Sequence, residues 1–247
     1  MILIGLKIGL TGTHSAGKTT LAHQVKDVLE LNTPHPLIVP TVETNLVRDV
    51  GTTLGIKRCD EMLEDREVMR HFQQAILQRY FHITREHPQK PDGYSIIYDR
   101  TLMDIRAYLI GYERMFDDRP LDLEEDPLDQ HELRILVNSA RYCVAYYDVI
   151  TYVSPIVISK PEMEVEYADE FRPTDWELRG FIDQVTRKTL AEVISYTQHE
   201  NVLLPVAGYI DTTEQNDRVS LLIGMIEDAR LMERLNTWAE ESTKGER

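Results

Sequence analysis

The stretch Leu6-Lys7-Ile8-Gly9-Leu10-Thr11-Gly12-Thr13-His14-Ser15-Ala16-Gly17-Lys18-Thr19-Thr20 decides how the rest of the chain is read. Its first part closes an apolar run, Leu3–Leu10, that predicts a buried strand. Its second part, Gly12 to Thr19, fits G-x-x-x-x-G-K-[ST] between that strand and an amphipathic helix beginning near Thr19. Glycines let backbone N–H groups converge on phosphate oxygens without a Cβ in the way, and the following helix aims the positive end of its dipole at them. The pattern assigns Gly12, Thr13, His14, Ser15, Ala16, Gly17, Lys18, Thr19 and Thr20 to a nucleotide's phosphates, His14 contributing backbone only. Lys18 reaches the β- and γ-phosphates and the Thr19 hydroxyl ligates Mg²⁺, so ATP and Mg²⁺ are the implied cofactors.

Outward from this loop, short apolar runs alternate with long helical patterns, the signature of parallel β-α units. Further strands are predicted near Leu37–Val39, Ser95–Tyr98, Val149–Val153 and Val202–Val206. The clearest helix runs from Leu63 to Thr84, where Met69, Phe72, Ile76, Tyr80 and Ile83 share one face; others begin near Thr101, Asp129, Asp175 and Glu214. Thr174-Asp175-Trp176-Glu177 reads as a capping box. The acid- and proline-rich segment Asp117–Asp129 reads as a solvated loop.

The third predicted strand ends in Asp99-Arg100-Thr101. An acid at the carboxyl end of a buried strand is the expected Mg²⁺ partner of a phosphate loop, so Asp99 joins Thr19 as a metal ligand. Arg100 neutralises phosphate charge or makes a surface ion pair. Glu43, just after the second strand, is placed to accept a proton from an acceptor hydroxyl, a plain solvated glutamate being the alternative.

With 42 Asp+Glu against 27 Lys+Arg, the 247-residue chain carries a net charge of −15, which disfavours duplex DNA and anionic membranes without excluding a small basic pocket. A hydrophobic fraction of 42% is enough for a packed core. Cys59 and Cys143 are too few for a disulfide framework and lack metal-ligand spacing, which predicts a reducing, cytoplasmic setting and two buried apolar side chains. No run reaches the roughly 20 apolar residues of a membrane span, and Met1–Leu10 lacks the basic leader and cleavage site of a signal peptide.

Together these residues resemble the P-loop nucleoside and nucleotide kinases, and among them the ribosylnicotinamide-kinase-like ATP-binding group met in bacteria and phages. The resemblance rests on the loop, on Glu43, on Phe72-Gln73 in a long helix, and on Asp99-Arg100-Thr101 followed by Asp104 and Ala107-Tyr108. Asp169-Glu170-Phe171-Arg172 and Arg179 are similar to a lid whose arginines clamp the transferring phosphoryl group, and Val206-Ala207-Gly208 with Asp217-Arg218-Val219 to the last strand and helix. In two places the chain departs from the family pattern: Arg48 stands farther from Glu43 than usual, and Asp169-Glu170 replaces Asp-Gly before the lid arginine.

The resemblance implies an α/β P-loop NTPase three-layer fold: a five-stranded parallel sheet of order 2-3-1-4-5, with helices on both faces and a lid over 154–174. Residues 1–240 form one kinase domain and 241–247 a disordered tail. It implies Lys18, Glu43, Asp99, Arg100, Arg172 and Arg179 as catalytic residues. Glu43, Gln73 and Asp104 meet the acceptor, with Gln74 and Gln78 as alternatives to Gln73. The expected activity is Mg²⁺-dependent transfer of the ATP γ-phosphoryl group to a small nucleoside- or nucleotide-like acceptor, by a monomer or homodimer. Three other readings stand: a kinase of a hydroxymethylated base in phage-type DNA, its basic stripe drawn from Lys160, Arg172, Arg179, Arg187 and Lys188; an ATP-binding switch that transfers nothing; and a generic NTPase whose acceptor is water.

Overall fold

The computed structural model describes residues 5–13, 16–32, 37–38, 44–57, 60–87, 94–156, 176–199 and 205–244. The elements run β1 (Lys7–Thr11), α1 (Lys18–Asn32), β2 (Leu37–Ile38), α2 (Thr44–Leu54), a 3₁₀ turn (Asp60–Leu63), α3 (Arg66–Glu86), β3 (Ser95–Tyr98), α4 (Leu102–Phe116), α5 (Gln130–Tyr146), β4 (Val149–Val153), α6 (Trp176–His199), β5 (Val206–Ile210) and α7 (Gln215–Lys244). The strands form one sheet in the order β2-β3-β1-β4-β5, every pair parallel. β1 lies at its centre, with Ile8 opposite Ile97 on one side and Val149 on the other. Parallel strands need crossover helices, which is why both faces are covered and why β1, β3 and β4 are buried along their length.

The two-residue period of the strands divides the core. Ile8, Leu10, Ile97, Val149 and Val153 pack under Leu21, Ala22, Val25 and Leu29 of α1 and Leu222 and Ile226 of α7. Ile96, Tyr98, Ile150 and Tyr152 face the opposite layer, built from α3 to α6 around Met69, Phe72, Tyr80, Met103, Phe181 and Val185. Each fully buried Leu, Ile or Phe contributes about 1.5–3 kcal/mol. Cys143 packs in this second layer, and burial pushes its thiol up to about 12, so it is an inert apolar side chain. Cys59 lies outside the described residues. No helix among the described residues is long and apolar enough to cross a membrane.

Local chemistry sets the helix ends. Asp65 accepts the backbone N–H groups of Glu67 and Val68, so α3 starts three residues after the predicted Leu63. α4 and α5 begin with capping boxes, Thr101 with Asp104 and Asp129 with Glu132. α6 begins at Trp176; Thr174 and Asp175 of the predicted box lie outside the described residues. α7 continues to Lys244, past the tail predicted from 241, where Ala239, Glu240, Glu241 and Lys244 are good helix formers.

The segment Asp117–Asp129 is tied down rather than simply solvated. The fully buried Arg114 guanidinium donates to the Pro120, Asp126 and Pro127 carbonyls and to both oxygens of Glu132. Arg119 adds Asp126, Asp129 and Glu132. Two cations on these acids give the segment a defined path.

Candidate active site

The end of β1, the start of α1, the end of β3 and the start of α4 meet at the carboxyl edge of the sheet, where open α/β sheets place their ligands. Gly12 leaves β1 at φ +139°, and a Cβ there would stand 2.5 Å from the Val153 carbonyl oxygen of β4. Only glycine lets the loop pass so close to the neighbouring strand. Gly17 turns the chain into α1 at φ +76°, also in the region that favours glycine, and its carbonyl accepts the first-turn N–H of Leu21.

Two buried side chains hold the loop from behind. Asp104 Oδ1 accepts the Gly12 N–H at 2.7 Å and the Thr11 hydroxyl at 2.9 Å, while Oδ2 accepts the Thr101 N–H at 2.9 Å. The capping box of α4 therefore doubles as a strut under the phosphate loop. Sequence analysis placed Asp104 at the acceptor; in the structure its carboxylate is fully buried and accepts from backbone and hydroxyl donors. The second support is Arg218 of α7. It donates to the Ala16, Ser154 and Thr212 carbonyls at 2.8, 2.8 and 2.6 Å, joining the loop to the ends of β4 and β5. The spacing Thr101-x-x-Asp104 is the sequence signal for the first support; no local signal marks the second.

Inside the loop, Lys18 Nζ donates to the Gly12 and Thr13 carbonyls at 2.8 and 2.7 Å. The Thr19 hydroxyl donates to Asp99 Oδ2 at 2.7 Å, joining the two residues expected to ligate Mg²⁺. Asp99 is 2% exposed; burial raises its pKa, opposed by the Thr19 hydrogen bond and the Lys18 charge. Asp99 Oδ1 and the Thr13 hydroxyl are buried without a hydrogen-bond partner among the described residues. The Thr19 hydroxyl and the two oxygens of the Asp99 carboxylate are hard donors, the kind that suits Mg²⁺. No cluster of three or more His, Cys, Asp or Glu side chains among the described residues offers a different metal site.

Beside this centre the Arg100 guanidinium lies 5.2 Å from the Tyr108 ring centroid. Arg179 packs 5.3 Å from the Trp176 ring, and burial lowers its pKa. Arg179 belongs to the first turn of α6 and is buried, so it is anchored in a helix rather than carried by a loop. Glu43, Arg172, His14 and Ser15, with most of the predicted 154–174 lid, lie outside the described residues.

Gln73 is buried and faces a cleft of about 370 Å³ between α3 and α4. Gln74 lines the same cleft, while Gln78 is exposed and is not among its lining residues. The other walls are Arg70, Leu77, Ile105, Arg106, Leu109 and Glu113.

Comparison with known proteins adds three findings. The model of the AAA domain family (AAA_28) matches residues 7–218. Among solved structures, thymidylate kinase from Candida albicans superposes with a TM-score of 0.53 at 17% identity, over 93% of this chain and 94% of its own. Deoxyadenosine kinase from M. mycoides, solved with dCMP and dCDP, superposes with a TM-score of 0.50 at 14% identity, over 90% and 99%. No curated protein matches the sequence.

Proposed function

Because the chain belongs to the AAA domain family, we propose that its phosphate loop serves an ATP- and Mg²⁺-dependent phosphotransferase. In this reading the γ-phosphoryl group moves to a nucleoside- or nucleotide-like acceptor, first of all a (deoxy)nucleoside or (deoxy)nucleotide. The fold shared with the two kinases supports the reaction class, and the ribosylnicotinamide-kinase-like resemblance adds nicotinamide riboside to the acceptors worth testing. The observation that carries the proposal is the convergence, at the phosphate loop, of Lys18 and the Thr19–Asp99 pair, with an Asp99 oxygen that is buried and has no partner among the described residues.

The transition state of phosphoryl transfer is largely dissociative, so the protein acts by positioning and charge stabilisation. Lys18 exchanges its two loop carbonyls for β- and γ-phosphate oxygens. Thr19 and Asp99 would hold Mg²⁺, which when bound neutralises charge on those phosphates. Arg100 and Arg179 stabilise charge on the transferring group; an arginine so placed is worth about 10³-fold or more in rate. Glu43 accepts the acceptor's proton and Arg172 closes over the phosphates. Gln73 reads the acceptor from the α3–α4 cleft. Asp104 and Arg218 keep the loop in shape without touching either substrate.

The test is acceptor-dependent ADP formation by the purified protein, across a panel of nucleosides, nucleotides, nicotinamide riboside and hydroxymethylated DNA. A small-molecule acceptor that raises ADP production at least tenfold over water supports the proposal. Stimulation by hydroxymethylated DNA alone selects the DNA-base kinase. ATP binding with no ADP from any acceptor selects the switch.

A further inference from the structure

The α3–α4 cleft contains a charge that the phosphotransferase reading leaves unused. Its other guanidinium, Arg70, is engaged by Glu67 and Glu113. Glu113, the cleft's only carboxylate among the lining residues, is already shared between Arg70 and Arg66. Arg106 is half-buried, and it makes no hydrogen bond, ion pair or ring contact among the described residues. Burial is the sole influence on its pKa, which it lowers. The cleft thus has a surplus positive charge at Arg106, inside a chain whose net charge is −15.

The surroundings of Arg106 suit a ligand more than a solvated side chain. Leu77, Ile105 and Leu109 give an apolar surface for a flat ring, and Gln73 and Gln74 add amide donors and acceptors. Arg106 stands four residues into α4, about 6 Å along its axis from the end that braces the phosphate loop through Asp104. That is about one helical turn from the brace of the loop. A guanidinium fork matches a carboxylate or phosphate with two parallel hydrogen bonds, whereas a neutral carbonyl leaves its charge uncompensated.

We propose that Arg106 makes this cleft selective for an acceptor bearing an oxyanion, a carboxylate on its ring or a phosphate on its sugar, over the neutral nucleoside. The inference rests on the phosphotransferase reading for the identity of the cleft as the acceptor site, and it names the acceptor's charge class.

Titration calorimetry on the full chain tests it with matched pairs of a neutral and an anionic member: uridine against orotidine, 5-carbamoyluridine against 5-carboxyuridine, and uridine against uridine monophosphate. The wild-type protein should bind the anionic member of at least one pair about tenfold or more tightly, the scale of a charge-assisted hydrogen bond. The first two pairs report a ring carboxylate and the third a sugar phosphate. Arg106→Gln should erase the preference and leave the neutral member's affinity within twofold, and Arg106→Lys should keep part of it. Equal affinity, or absence of binding, for both members of every pair in the wild type overturns the inference. So does an equal loss for both members in Arg106→Gln, the mark of a packing role. Failure of the wider reading looks different: anionic ligands would still bind through Arg106, yet none would stimulate ADP formation.

Discussion

Replacing Asp104 with Asn keeps the size of the side chain and turns one carboxylate oxygen into an amide donor. In the wild type Oδ1 serves Gly12 N–H and the Thr11 hydroxyl, and Oδ2 serves Thr101 N–H, with no water access. Either orientation of the amide sets its NH₂ against a backbone N–H. The loss of one hydrogen bond to a charged acceptor costs about 1.5–3 kcal/mol, and a buried donor left unsatisfied adds about 1–3 kcal/mol. A total of about 2.5–6 kcal/mol, at roughly 2–4 °C per kcal/mol for a chain of this size, lowers the melting temperature by roughly 5 to 24 °C. Because Gly12 N–H is one of the two donors the amide can oppose, ATP affinity should fall as well, while the acceptor KM of the surviving folded fraction stays near wild type. Thermal melts followed by circular dichroism, with ATP titrations below the melting range, measure both. A melting temperature within 2 °C of wild type together with a lost acceptor affinity would refute the strut and return Asp104 to the acceptor site.

Three more outcomes follow from the same geometry. Gly12→Ala forces a Cβ to within 2.5 Å of the Val153 carbonyl at a φ of +139°, so it should abolish ATP binding and lower the urea midpoint, measured by equilibrium unfolding. Arg218→Lys surrenders most of a three-carbonyl clamp and should cost about 3 kcal/mol or more of stability, read from the same unfolding curves. Asp99 is held above the ordinary aspartate pKa by burial, so the folded state keeps its proton to higher pH than the unfolded chain, and ionisation subtracts stability as pH rises through that raised value. Without Mg²⁺, Asp99→Asn should therefore melt above wild type at pH 8, with the gap shrinking toward pH 4; a gap that is constant or reversed contradicts the desolvated carboxylate.

What the sequence made legible is what short-range chemistry encodes. The phosphate loop, the strand before it and the helix after it were readable because glycine geometry and helix dipole demand those residues consecutively. The pairing of Thr19 with Asp99 was readable because an acid ending a buried strand has few other roles. Asp104 was read as an acceptor contact: its spacing to Thr101 marks a cap, but only the folded sheet shows the Gly12 N–H arriving from another element. Arg218 was invisible as a loop support for the same reason, since its carbonyl partners come from three separate segments. Asp117–Asp129 looked solvated because composition does not reveal that the Arg114 guanidinium is buried beneath it. The surplus charge of Arg106 likewise depends on Glu113 being taken by Arg66 and Arg70, a matter of packing between two helices.

The central claim is that phosphoryl groups leave ATP for a second substrate at the Lys18 loop. Incubating the wild-type protein and Lys18→Ala with γ-³²P-labelled ATP and the acceptor panel, then separating the labelled products, addresses it directly. The account predicts label on one class of nucleoside-like acceptor with the wild type and a loss of about 10³-fold or more with Lys18→Ala, as removal of a charge that stabilises the transferring group requires. Label that appears only as inorganic phosphate, or transfer that survives in Lys18→Ala, would contradict it.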